Sequence, residues 1–440
     1  MINTSKLLHV SLSFIMLLFS TVSYGYAKDA LQYGGLLKQR YEYRDSIFDS
    51  ATKTLQNESF LRTTIQLWGS YEIPGTMKAF GKINYQPDYY LDSYKPDNHG
   101  FMGYELIVEN LYVDLKDPLG LPVDMTVGRQ DMRYGDGLLI SDGTPIDKSR
   151  ASYFNAVKSS WKISQGHSVD IVYINDPKRD EFLPSVQMTH DEREQLNESD
   201  EQGVIVYGKN SFGNNIQLEP YYIFKREENI PSKSNALDIH TIGTRAVFAS
   251  GSWKLKGEFA HQFGKYQGGG DRTGYGGTLY ASKTLGATLW RPEIETGFIY
   301  LSGDNTNSTA NEGWDPLFAR RSWLSSFQSN MYKLETGYTA YWTNLQLYRL
   351  TTKLNFPTDT TLSISYNYLR ANETTNAKGK AAAFLSNSGR ERGHLAQIKL
   401  HQQISKSIDA DMSLEYFFPG DFYRMRGNEA YLVTKIYFRF

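Results

Sequence analysis

Residues 127–137 read VGRQDMRYGDG, and their types suit either anion chemistry or a tight backbone site. Arg129, Asp131, Arg133 and Asp136 stand among three glycines. Guanidinium groups bind carboxylates and phosphates through a planar fork of donors, and glycine lets a backbone come close to a ligand. A phosphate cradle would also need a Lys-Ser or Lys-Thr pair and a helix opening directly after it. Neither follows here, and the glycine-rich stretch YQGGGDRTGYGG at 266–277 lacks both as well. What remains is a guanidinium–carboxylate cluster, or a strand passing from one environment into another.

Other charged residues recur at a spacing of two. Lys38, Arg40, Glu42 and Arg44 share one parity, opposite Leu37, Tyr41 and Tyr43. Arg62 stands between Leu61 and Thr63, and Lys158, Lys254, Lys256, Glu258, Lys399 and Arg439 alternate with apolar neighbours. Arg245 falls in a less regular run. Side chains two apart on a strand share a face, so each set points one way. A bulge at Gly128 is expected to turn Arg129 to that same side, near Asp131 and Arg133. Rings of Arg and Lys on a wall concentrate anions, and interspersed acids such as Glu42, Asp131, Glu219 and Glu258 would orient the cations and keep a passing anion from sticking.

Other chemistries find little footing. Cysteine is absent, which removes thiol nucleophiles, disulfides and Cys-based metal sites. The eight histidines form no H-x-x-x-H pair. Asp304, Glu312 and Asp315 offer oxygen ligands but no EF-hand spacing, so neither metal nor cofactor is expected. No Ser/His or paired-acid spacing suggests an enzyme. The formal charge is −1 overall, and residues 176–201 hold nine acids against three bases. One acidic loop thus masks a mildly basic remainder, which is not the single-sign footprint of a nucleic-acid binder.

The elements that must carry these residues are strands. Period-two alternation dominates, as in AYLVTKIYFRF, where Leu432, Thr434, Ile436, Phe438 and Phe440 oppose Tyr431, Val433, Lys435, Tyr437 and Arg439. About eighteen such runs are legible, the first near 31–45 and the last near 430–440. Their connections alternate between short (74–76, 117–122, 164–166, 211–214, 250–252, 285–287, 357–359, 405–407) and long (notably 133–149, 177–201, 304–335 and 372–392). Turns sorted by length onto two ends predict an antiparallel up-and-down barrel across an outer membrane, with short periplasmic turns and long outer loops. Aromatics at 14% with a mean hydropathy of −0.49 fit a wall greasy outside and wet inside. Lys6, the apolar run Leu7 to Phe19 and the small residues Gly25 and Ala27 read as a signal peptide, residues 1–27, ahead of one barrel domain at 28–440.

The run GRQDMRYGDG…SRASYFNAVK, the YLSGD…WDPLF pair at 300–318, GHLAQIKLHQQIS…LEYFFPGDF, the opening LLKQRYEYRD and the terminal YFRF together resemble the alginate export family of outer-membrane barrels. Asn155 stands where that family's R-x-F-D motif has its Asp. The resemblance implies an eighteen-stranded monomeric pore whose lumenal arginines pass an anionic polysaccharide, with periplasmic export components feeding it. Phe440 is similar to the final aromatic that the barrel assembly machinery reads. The alternative is a selective porin taking up small organic anions or oligosaccharides. An adhesive or purely structural barrel embedded in outer-membrane lipid is the reading from another class.

Overall fold

The structure, a computed structural model, describes residues 30–49, 54–93, 100–102, 105–142, 153–183, 185–187, 197, 199–228, 235–286, 290–319, 321–378, 381–424 and 427–440. The expected signal peptide lies outside the described residues. Eighteen strands form the wall. They are β1 (Leu31–Asp49), β2 (Thr54–Ile73), β3 (Met77–Tyr85), β4 (Glu105–Lys116), β5 (Val123–Gln130) and β6 (Phe154–Ser164). Next come β7 (His167–Asp176), β8 (Asp200–Phe212), β9 (Ile216–Glu228), β10 (Leu237–Ser250), β11 (Trp253–Tyr266) and β12 (Asp271–Thr284). The last are β13 (Glu293–Leu301), β14 (Leu345–Phe356), β15 (Thr360–Arg370), β16 (Glu391–Gln403), β17 (Ile408–Pro419) and β18 (Glu429–Arg439). Each pairs antiparallel with the next, and β18 returns to β1 with Arg40 opposite Lys435, so the sheet closes and leaves no free edge. At the seam Gly35 donates its N–H to the Phe440 carbonyl at 2.8 Å.

The alternation works as the residue types demand. Leu37, Ile65, Val127, Val157, Ile171, Ile242, Leu255, Phe259, Leu279, Leu350 and Ile398 are exposed on the outer face. Charged and polar side chains take the inner positions between them. Trp161, Ile163, Trp253 and Trp290 are exposed near the short turns, where an aromatic girdle meets the interface. Those turns are tight, and Gly166 (φ 80°) and Gly251 (φ 57°) take left-handed conformations that a Cβ would resist.

The long connections fold into the barrel. Residues 131–142 and 302–344 enter the lumen, the latter carrying helix α1 (Ser326–Thr336), and a short helix α2 (Ala381–Phe384) sits in the connection between β15 and β16. The long connection expected at 304–335 therefore runs on, and β14 begins only at Leu345, because residues 336–344 end α1 and cross the lumen. The buried hydrophobic cluster is interior rather than a sandwich core: Met132, Tyr134 and Ile140 of the first loop join Trp314, Phe318, Tyr332 and Trp342 of the second against Ile205, Ile223, Ile239 and Leu347 of the wall.

Candidate functional site

Of the residues singled out by type, Lys38, Arg40, Glu42, Arg44, Arg62, Lys158, Arg245, Lys254, Lys256 and Glu258 take inner positions on wall strands, each between outward neighbours. The β1–β2 group is a closed network. Glu42, fully buried, receives Arg40 Nε at 2.7 Å, Arg44 Nη2 at 2.7 Å, Arg62 Nη1 at 3.4 Å and the Tyr431 hydroxyl at 2.6 Å. Arg62, 1% exposed, also forks onto Asp88 at 2.6 and 2.9 Å. With Asp88 on Arg62 and Glu58 3.5 Å from Arg44, three cations are balanced by three carboxylates, and this mostly buried group braces the wall at the seam.

Arg129 corrects the expectation. No register shift occurs at Gly128 in either pairing of β5; the bulge is in β4, at Glu109. Parity therefore runs unbroken from exposed Val127 to Arg129, which shares the outer side with Asn155. There it forks onto Asp180 at 2.8 and 2.7 Å, donates to Asn155 at 2.9 Å and lies 4.6 Å over the Tyr153 ring. It pins Asp180, at the described start of the acidic stretch, against the outside of the wall, above an apolar groove of about 590 Å³ bordered by Val127, Val157 and Tyr173. The bulge does have a lumenal consequence: it brings Glu109 to Lys82 at 2.9 Å, and Lys82 in turn reaches Asp131 at 3.5 Å.

Beyond Gln130 the chain turns into the barrel. Tyr134 donates to Asp170 at 2.7 Å and stacks on Tyr207 at 4.4 Å between centroids. Asp170 also accepts from Lys209 at 2.6 Å and has Lys158 at 3.7 Å. Asp136 then reaches the β10–β11 wall, 3.4 Å from Arg245 Nη2 and 3.5 Å from Lys256 Nζ. Gly135 permits this approach; its φ is +55°, and a Cβ there would stand 2.7 Å from Arg245 Cδ. Burial pushes the Asp136 carboxyl up, but Lys256 and Arg245 outweigh it, so it stands below the ordinary carboxylate range. Arg133, exposed, donates to the Asp136 carbonyl at 2.8 Å.

The second loop meets the first across the lumen. Phe318 N donates to Leu139 O at 2.9 Å, and Ser141 N to Phe318 O at 3.2 Å. Trp314 lies on Gly276 and Phe318 on Gly203, where wall glycines leave room for rings. Lys225 anchors the loop by donating to Leu317 O at 3.1 Å while paired with Glu201 and Glu227. Of the acids that offer oxygen ligands, Asp315 pairs with Arg272 and accepts from Tyr341, and Asp304 accepts the Glu312 N–H. Ser325 caps α1 through the Gln328 N–H and donates its hydroxyl to Glu415. Arg392 forks onto Glu335 at 2.9 and 2.7 Å between Tyr332 and Phe422.

The joined loops divide the lumen. On the outer side a cavity of about 410 Å³ is lined by Glu227, Arg272, Asp304, Tyr338, Tyr341 and Asn376. On the turn side one of about 380 Å³ is lined by Arg40, Ser325, Lys399, His401, Glu415 and Lys435. Five cations on the inner strand positions and the infolded loops make no ion pair among the described residues: Arg133, Arg321, Arg349, Lys254 and Lys399. Arg321 is held below its ordinary value by burial and by Arg133 beside it. Type and parity could have found Arg349, flanked by outward Tyr348 and Leu350, and Lys209. No sequence signal marked the aromatic stack of Tyr134, Tyr207 and Tyr221 or the reach of Asp136, because loop infolding has no period.

A closed antiparallel barrel, apolar outside and charged within, with a lumen narrowed by its own loops, is an outer-membrane channel of a Gram-negative bacterium. The chain belongs to the alginate export family, whose model matches residues 29–432. Among curated proteins none matches the sequence. Solved structures share the fold at low identity. OccK7 (OpdD) of Pseudomonas aeruginosa is 11% identical, with 93% of this chain and 98% of that chain covered and a TM-score of 0.57. OccK2 (OpdF) in complex with glucuronate is 11% identical over 94% of this chain and 99% of that chain, with a TM-score of 0.58. OpdK with vanillate is 12% identical over 94% and 99%, with a TM-score of 0.54.

Proposed function

We propose that the channel conducts carboxylate-bearing saccharides, drawn through the lumen by its cations. The observation that carries this is the set of unpaired cations inside the barrel. Arg133 and Arg321 sit at the meeting of the two loops, and Lys256, itself paired with Asp136, lies over Tyr280 at 4.8 Å. Tyr280 in turn borders Gly297 and Arg349. Lys399 lines the turn-side cavity, and Arg349 lies within electrostatic reach of it. Fixed positive charge in a low-dielectric wall raises the local anion concentration, and several weak sites in series let the anion leave again. The family membership supports an anionic polysaccharide as cargo.

A second reading, passage of single sugar acids or small carboxylates, is favoured by the contact between residues 139–141 and Phe318, which leaves little width for a polymer. The ligands named for OccK2 and OpdK, glucuronate and vanillate, are also small carboxylates. Either way the chain works as a conduit and not as an enzyme.

Purified protein in planar bilayers tests both. Anion preference and a current reduced by uronate oligomers are expected. Cation preference with no response to uronates sinks the proposal. Block by monomeric glucuronate at concentrations where a uronate oligomer has no effect selects the second reading.

A further inference from the structure

We infer that Asp136 is a built-in stand-in for the cargo's carboxylate, and that the Arg245–Lys256 clamp it occupies is the channel's carboxylate subsite. This rests on the reading of the lumen as a path for carboxylate-bearing saccharides. The clamp is built on the wall, from β10 and β11, whereas its occupant arrives on the loop 131–142, which Gly135 lets come within touching distance of Arg245. A clamp filled by a separate element can be emptied by moving that element.

The contacts have the character of an exchangeable pair. A charge-assisted N–H···O bond is about 2.7–2.9 Å, and the wall braces reach that: Arg62 holds Asp88 at 2.6 Å and Arg392 holds Glu335 at 2.7 Å. Asp136 stands 3.4 and 3.5 Å from its two partners with its side chain 36% exposed, so water and solute reach it. Arg245 keeps a second partner, Glu219, at 3.0 Å, so it stays oriented when Asp136 leaves. Replacing one carboxylate by another leaves the local charge unchanged, and the exchange needs no isolated buried charge.

The surroundings suit a sugar ring. Tyr207 and Tyr221 stack parallel at 5.5 Å and 3°, Tyr134 lies on Tyr207, and Lys256 covers Tyr280. The Tyr207 and Tyr221 hydroxyls already donate to Glu219 at 2.6 Å and Glu258 at 2.8 Å. Those two acids are thus occupied, the three stacked rings are buried and hold them rigidly, and the half-buried Tyr280 ring lies beside the two-cation clamp. A uronate presents the matching pair, a C–H face and one carboxylate. Occupancy by Asp136 weakens the apparent affinity by the fraction of time the clamp is filled, which makes the subsite weak by construction.

The test is single-channel recording on the full chain, with glucuronate and a glucuronate trimer as probes and a neutral glucose trimer as control. Asp136→Asn removes the charge and keeps the shape; the glucuronate concentration for half block should fall about tenfold, with glucose unchanged. Lys256→Gln should raise it by a similar factor. Tyr134→Phe loosens the loop by removing the bond to Asp170 but keeps the Asp136 charge, and it should leave half block where it was. An Asp136→Asn channel blocked at the wild-type concentration overturns the inference alone. So does an equal fall in Tyr134→Phe, which would assign the effect to loop mobility. A wild type without any uronate block overturns the underlying reading and this inference together.

Discussion

Both loops that enter the lumen are rooted in the buried cluster, but the tip of the first is held unlike the body of the second. The first, residues 131–142, buries Met132, Leu139 and Ile140, and its tip reaches the wall through polar ends: Tyr134 on Asp170, and Asp136 on Arg245 and Lys256 at 3.4 and 3.5 Å. The second, residues 302–344, is wedged by fully buried bulk, with Trp314, Leu317 and Trp342 at 0–1% exposure and a buried fork between Arg392 and Glu335. Packing at van der Waals contact is short-ranged and all-or-none, whereas an ion pair in a wet lumen is shallow and exchangeable. The comparison makes the second loop a fixture and the tip of the first a mover, although both loops touch at Phe318.

Breaking the fixture should have the largest effect. Trp314→Ala leaves a cavity over Gly276 and should cost about 3–5 kcal/mol in the loop's ordering. Thermal melting monitored by tryptophan fluorescence, alongside unsteady single-channel current, reads this. A cost below about 1 kcal/mol would erase the distinction. Next comes Glu335→Gln, which strands Arg392 between Tyr332 and Phe422; loss of one partner of a buried pair costs about 3 kcal/mol. The same melts should show it, and an additional Arg392→Met substitution should recover much of the loss.

The smallest effect sharpens the mover. Asp136 stands below its ordinary value of 3.8, so its latch is complete above that value and is lost as pH falls through the lowered one. Open-channel conductance should therefore stay level from neutral pH down to about pH 4 and rise only below it. The groups facing Asp136 are Arg245, Lys256 and Glu258 on the wall, with Glu219 and Tyr207 next to them and Arg133 and Arg321 from the loops. Glu219 and Glu258 are also acids, so the diagnostic is Asp136→Asn: if the acid rise survives in that channel, the latch is not Asp136.

The barrel was legible because its rule is local. Alternation in runs such as Leu432 to Phe440 states which side chains meet lipid, and turn lengths state which end is which; both survive into the closed sheet. The same rule assigned Lys254, Lys256 and Glu258 to the lumen. Departing from it misleads at Arg129: alternation alone puts Arg129 with outward Val127, and the extra residue is Glu109 on the neighbouring strand, not Gly128. A bulge is a property of a pair of strands, and one strand's sequence does not contain it. Within the loops, Asp136 and Arg321 had no period to betray them, since their partners lie about a hundred residues away or on the other loop.

The wall glycines under the loop rings set the bore of the passage. A Cβ at Gly203 on β8 or Gly276 on β12 would stand 2.6 Å from the Phe318 ring and 2.7 Å from the Trp314 ring, so any side chain there pushes the second loop off the wall. The outward residues suit the barrel to lipid, and two side chains that are missing decide how far its filling can settle.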